Sequence, residues 1–209
     1  TRDVFGGLVT DTFQDPTIDP TGNLFDQSAN KSRKLGGKIS YERAMPGFED
    51  LTLTAGFDAL FDRTEQYLVQ TGRAWVPQTD FRSLAPFAQA NLALLDGLVR
   101  LAGGVRYEDV QLKVGDYETL ASYGADDEND LSTYEPVFVA GGNPSFNDVL
   151  WNGGVIVEPI MGLRAYGSYA EGYTIADVGR ILRGIEEEGV DIDNYLALEP
   201  VISNNREIG

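Results

Sequence analysis

Hydrophobic residues recur at every second position through long stretches of this chain. In residues 51–62, LTLTAGFDALFD, Leu51, Leu53, Ala55, Phe57, Ala59 and Phe61 fall on one face. Thr52, Thr54, Gly56, Asp58 and Asp62 fall on the other, with Leu60 the exception. A period of two sustained over such a stretch predicts a strand, because successive side chains of extended backbone point to opposite sides. The same character marks residues 32–43, 83–95, 98–110, 148–158 and 163–174, with weaker segments near 3–14 and from 203 onward. Within LLDGLVRLAGGVRYED, residues 94–109, Val99, Leu101, Val105 and Tyr107 share a face, and Arg100, Arg106 and Glu108 lie opposite with glycine and alanine. Two architectures fit such strands. A soluble sandwich would turn the charged face to bulk water, and a membrane barrel would turn the apolar face to lipid and the charged face to a wet lumen.

The connections separate the two. Those at 44–50 (AMPGFED), 96–97 (Asp96-Gly97) and 159–162 (PIMG) are short and carry the Gly and Pro chemistry of tight hairpins. Those at about 15–31, 63–82, 111–147 and 175–202 are long. Strict alternation of short and long connections predicts a barrel with short turns at one end and long loops at the other. Strands of about 10 to 12 residues, tilted near 45°, cover roughly 25 Å, the height of a barrel's apolar band. Among the long connections, 177–188 (DVGRILRGIEEE) has helical spacing in Val178, Ile181, Leu182 and Ile185, with Asp177 placed to cap it. It predicts a short helix packed on the barrel mouth.

Composition narrows the chemistry. Sixteen Lys+Arg against 33 Asp+Glu give a formal charge of -17, which would repel a phosphate backbone, so no nucleic acid is expected as a partner. With no cysteine and no histidine in its 209 residues, the chain lacks disulfides, thiolate nucleophiles, zinc-thiolate sites and the commonest general base. No segment approaches the roughly 20 apolar residues of a membrane helix, and TRDVFGGLVT at residues 1–10 has no signal-peptide pattern. No carboxylate pair is singled out by its setting for acid–base work. No enzyme activity, cofactor or metal is expected.

The segments LAPFAQANLALLDGLVRLAGGVRYE (84–108), WNGGVIVEPIMGLRAYGSYAEGYTIADVGRILRGI (151–185) and LEPVISNNREIG (198–209) resemble the barrel of TonB-dependent outer-membrane receptors. The resemblance rests on Phe87-Ala88-Gln89, Gly104-Val105-Arg106-Tyr107, Ser168-Tyr169-Ala170-Glu171-Gly172-Tyr173 and Asn205-Arg206-Glu207-Ile208-Gly209, in that order and spacing. It implies an all-β fold, an antiparallel up-and-down transmembrane β-barrel segment of about eight strands of a larger barrel, with short periplasmic turns and long external loops. On this reading residues 1–209 are part of the barrel domain, the plug domain is absent from the chain, and 51–62, 98–110 and 163–174 run outward. The implied function is TonB-coupled transport across the cell outer membrane, with uptake of a ferric siderophore or similar bulky solute. The implied partners are that iron-chelate cargo, the TonB energy-coupling system acting through the plug, and outer-membrane lipid. A passive porin-like channel and a soluble β-rich binding module remain the alternatives.

The ligand-contact candidates are Arg73, Trp75 and Tyr67 in the 63–82 connection, where arginine and aromatics suit an anionic or catecholate-like ligand, and Arg106 in the lumen. Each has a plainer reading. The aromatics would pack the loop or mark the membrane interface. Arg106, with Arg100 and Glu108, would pair with plug or neighbouring-strand carboxylates. The acidic runs DDEND (126–130) and EEE (186–188) lack the ligand spacing of a calcium loop and read as solvated surface. They give the outer rim a negative sign, which suits a cargo that is neutral or cationic overall.

Overall fold

The computed structural model describes residues 28–69, 72–119, 137–175, 177–185, 187–195 and 200–209. Seven strands form one antiparallel meander: β1 (Ser28–Met45), β2 (Phe48–Leu68), β3 (Ala74–Leu94), β4 (Val99–Val114), β7 (Ser145–Ile160), β8 (Leu163–Thr174) and β9 (Val201–Ile208). Between β4 and β7 the chain adds a two-residue pair, β5 (Tyr117–Glu118) and β6 (Phe138–Val139). Between β8 and β9 it adds helices α1 (Val178–Arg183) and α2 (Ile192–Tyr195). In the described residues β1 and β9 are the edges of an open sheet. The up-and-down order agrees with the expected barrel sector. The weak segment near 3–14, the eighth expected strand, lies outside the described residues, as does the 126–130 acidic run.

The strands outrun their predicted ends. β2 continues to Leu68 and β3 begins at Ala74, so most of the expected 63–82 loop is paired strand, with Arg63 opposite Asp80 and Thr64 opposite Thr79. The reason is visible on β4. Up to Tyr107 the apolar residues are odd-numbered, and above it they are Val110, Leu112 and Val114, even-numbered and 1–3% exposed. The register with β3 and β7 does not slip through this change. The hydrophobic face therefore switches sides while the strand runs on. β3 switches likewise: Leu84, Leu92 and Leu94 share the face on which, higher up, Asp80 and Arg82 project.

A layer built from β5, β6, α1 and α2 covers the face bearing Val110, Leu112 and Val114, which we call the inner face. On the other, outer face the large apolar residues of the lower wall stand open: Ile39 is 71% and Trp151 56% exposed. A protein dissolved in water leaves no such continuous face uncovered; a wall in lipid requires one.

The upper polar edge of the outer face runs through Arg33, Arg63, Arg82, Asp109, Asn147 and Glu171, then Asn204 and Arg206 on β9. Traced along the ladders back to β2, it falls from the level of Arg63 at β1 to that of Ala55 or Leu53 at β9. Eight to ten residues of about 3.3 Å over six strand spacings of about 4.8 Å give a slope near 45°. An edge that lies level with a membrane surface thus requires the strand tilt of a transmembrane barrel.

At the opposite end from the layer, the connections are tight. Gly47 (φ 82°) and Gly162 (φ 90°) take left-handed backbone that glycine adopts without a steric cost. At the third hairpin Leu95, Asp96 and Gly97 are all left-handed, and Leu94 and Leu95 carbonyls accept from the Gly97 and Leu98 amides at 3.1 Å. The turn expected at Asp96-Gly97 alone therefore also takes in Leu95, at a position where a branched side chain is strained.

Candidate functional site

Midway up the inner face, alternation and register bring Lys38 of β1, Asp58 of β2 and Arg106 and Glu108 of β4 to one side of the sheet. The Arg106 guanidinium bridges two strands, donating to Asp58 and to Glu108. Ser83 of β3 donates to Glu108 at 3.2 Å, and Lys38 lies 3.6 Å from Oδ1 of Asp58 and 4.5 Å from the Phe87 ring centre. The Phe87 ring can lie across β2 because Gly56 is there: a Cβ at Gly56 would collide with it. Glu108 is 8% exposed, yet two partners compensate its desolvation. This set, two cations and two carboxylates held by neighbouring strands, braces the wall. It matches the plainer reading of Arg106.

Below the network the inner face stays polar, with Thr54 donating to Glu42 at 3.1 Å and Gln89, Asn91 and Asn152 on the neighbouring strands, and near the tight turns it opens into a cavity of about 410 Å³ bordered by Asp50, Arg100 and Tyr166. Above it, β7 and β8 part. Their pairing ends at Asn152–Ala170, and Glu171 accepts from the Trp151 amide at 2.9 Å and from the Tyr169 hydroxyl at 2.5 Å in place of the missing ladder.

The mouth layer has its own dry core of Val114, Tyr117, Val139, Leu182, Ile185, Val190 and Ile192. Helix α1 begins where expected, with the Asp177 carboxylate accepting from the Arg180 amide at 3.1 Å, and ends at Gly184, short of the predicted 188. Tyr117 donates its hydroxyl to the Leu182 carbonyl at 2.8 Å, and burial pushes this phenol well above its ordinary pKa. Arg73 donates to the Thr119 carbonyl at 3.4 Å; its partial burial lowers its pKa, and Glu118 acts in the opposite sense. The Arg183 guanidinium stacks over Trp75 at 4.7 Å.

The four candidates thus divide. Arg73 and Trp75 each reach the mouth layer, Arg73 through the Thr119 carbonyl and Trp75 beneath Arg183, which the helical pattern placed on α1 without a role. Tyr67 pairs with Lys31, whose ammonium lies 4.5 Å from its ring centre. Arg106 sits opposite Phe87, a dozen residues below Trp75 on β3 and so roughly 40 Å away along the strand. One small ligand cannot touch both. Asp58, the partner of Arg106 on β2, and Lys38, which pairs with Asp58, were missed. Their signal was present in the alternation, since both share the face of Arg106, but the register that aligns them is set by hairpins and bulges. Among the described residues no group of side chains could hold a metal ion.

A family model described as TonB dependent receptor-like, beta-barrel, matches residues 2–209. Among solved structures, the chain is similar to the ferric-catecholate import receptor Fiu from E. coli K12 in its closed form, with a TM-score of 0.59 and 16% identity over 88% of this chain and 29% of that one. A looser likeness, TM-score 0.44 and 15% identity over 71% of this chain and 24% of the other, is to a double mutant of the hemophore receptor HasR of Serratia marcescens, solved with its hemophore HasA and heme. At these identities the likeness is one of fold, and the chain spans less than a third of either structure.

Proposed function

We propose, from the premise that this chain belongs to the TonB dependent receptor-like β-barrel family, that it forms a sector of the wall and mouth of an outer-membrane importer. The importer draws a ferric siderophore or similarly bulky solute inward by TonB coupling through a plug domain. The observation that supports this reading is the pairing of an open apolar outer face with a braced ionic inner face, crowned by a folded layer at one end only. Arg73, Trp75 and Arg183 at that layer form the first cationic and aromatic surface an incoming solute meets, while Arg106 keeps the wall's shape. The exposed acids of the same layer, Asp177, Glu187, Glu188, Asp191 and Asp193, favour a cargo that is neutral or cationic overall, such as a hydroxamate-type ferric complex.

Cells producing the full-length protein should take up such a labelled ferric chelate, and uptake should stop when the proton-motive force is dissipated. Uptake that continues without it identifies a passive channel instead. Equal transport of a highly anionic ferric catecholate, unaffected by neutralising the layer's acids, would remove the charge argument and leave the transport reading standing.

A further inference from the structure

Above Asn152–Ala170 the wall divides into two leaves. β7 stays paired with β4 up to Ser145–Gln111, and β8 stays paired with β9 up to Thr174–Val201, yet β7 and β8 no longer pair with each other. Each remains a strand on its far side, so the gap is a seam within the sheet and not a frayed end. Continued in register, Trp151 would face Glu171 and Val149 would face Tyr173. Carboxylates stand where that ladder would be. The Trp151 amide donates across the seam to Glu171 at 2.9 Å, and the Val149 amide, which points the same way two residues along, donates to Asp148 at 2.7 Å. The Tyr173 hydroxyl, on which the charges of Glu108 and Asp148 act, is buried with no hydrogen-bond partner among the described residues.

The mouth layer bridges the seam from above. Its strands β5 and β6 belong to the β4–β7 leaf and its helices to the β8–β9 leaf. The Ile192 amide donates to the Ala140 carbonyl and the Ala140 amide to the Val190 carbonyl, both at 3.1 Å. The Tyr117 hydroxyl reaches the Leu182 carbonyl, and Arg183 lies over Trp75 of β3. The helices of one leaf are thus clasped onto the other across a line that no backbone ladder holds. We infer that this seam is a hinge line at which the wall itself widens. The β8–β9 leaf swings from β7 about Asn152–Ala170, carrying α1 and α2 off β5, β6 and Trp75, and Glu171 is the latch that holds the Trp151 amide in the closed arrangement. A single amide–carboxylate bond exchanges for water on its own, whereas a ladder yields as a row. The swing also gives the Tyr173 hydroxyl access to water. The hinge concerns the wall and holds whichever solute the barrel admits.

The test uses the full-length protein in lipid nanodiscs, with nitroxide labels read by pulsed dipolar spectroscopy. Labels at Ile39 of β1 and Val201 of β9 span the seam; a reference pair at Ile39 and Val149 of β7 lies within one leaf. Wild type should show two separations across the seam and one within the leaf. Glu171→Ala should raise the ratio of the longer to the shorter separation about fivefold or more. Glu171→Gln, which keeps an acceptor, should return that ratio close to wild type, and neither variant should move the reference pair. One separation across the seam in both wild type and Glu171→Ala overturns the hinge. So does a reference pair that shifts as much as the pair across the seam, because the effect is then a general loosening. A reductant-cleavable bismaleimide joining Val149→Cys and Tyr173→Cys should lower solute uptake, and cleaving it should restore uptake; uptake unchanged by the tether overturns a part for the hinge in admitting solute. Two separations in a protein that takes up no chelate uphold the hinge and overturn the transport reading instead.

Discussion

The lower wall and the mouth layer are built from one chain but for two solvents. In the wall, Ile39, Phe57, Leu101 and Trp151 stand exposed on one side of a single sheet, and among the described residues no core lies beneath them. In the layer, Val139, Leu182 and Ile192 are 0% exposed in a closed cluster. The layer gains its stability from removing apolar surface from water. Among the described residues the wall has no such source; its apolar face is stable where lipid replaces water, and its inner face depends on hydrogen bonds and ion pairs such as those of Arg106. β4 crosses from one regime to the other at Glu108–Asp109, and the switch of its hydrophobic phase marks the crossing.

The sharpest break of this contrast is Leu182→Ala. Emptying a fully buried leucine site should cost the layer about 3 kcal/mol. Hydrogen exchange should then accelerate at the Ile192 amide, which donates to the Ala140 carbonyl at 3.1 Å, and remain slow at the paired amides of β4 around Val105. Equal acceleration in both places would mean that wall and layer unfold as one unit and that the contrast has no energetic content.

The next substitution works on the wall alone. Arginine at Val105, on the outer face opposite Ala88 and Trp151, should cost about 2 kcal/mol where it meets hydrocarbon. Arginine at Thr54, on the inner face opposite Glu42, should be mild. Folding from urea into lipid vesicles gives both numbers. Comparable losses at the two positions would end the assignment of the faces.

Much of the wall was legible because lipid on one face enforces period two: Leu51 to Phe61 and Val99 to Tyr107 announced their strands without further help. What failed was the upper third. There the phase reverses, so Val110, Leu112 and Val114 looked like the end of a strand when they were its continuation under a different cover. A search for alternation of opposite phase after Tyr107 would have found them. Tyr67 and Trp75 were placed in a loop for the same reason. The helix was visible from Asp177 and its apolar spacing, but its early end at Gly184 was not, because Ile185 belongs to the layer's core without being helical. The partners of Arg106 were hidden more deeply, since face can be read along one strand and register only across two.

The smallest effect tests whether the layer's local signals matter once its core is formed. Asp177 accepts from the Arg180 amide, and loss of such a cap costs about 1 kcal/mol. Helix α1 has six residues, too few to persist by propensity, so Leu182 and Ile185 hold it chiefly by packing. Asp177→Ala should therefore speed exchange at the Arg180 amide by about fivefold while leaving Gly184, whose amide donates to the Ile181 carbonyl at 3.0 Å, nearly as slow as before. Asp177→Asn keeps an acceptor and should return exchange at the Arg180 amide close to its original rate. If Gly184 opens as readily as Arg180, the cap is nucleating the whole helix, and the layer depends on its polar end as much as on its core.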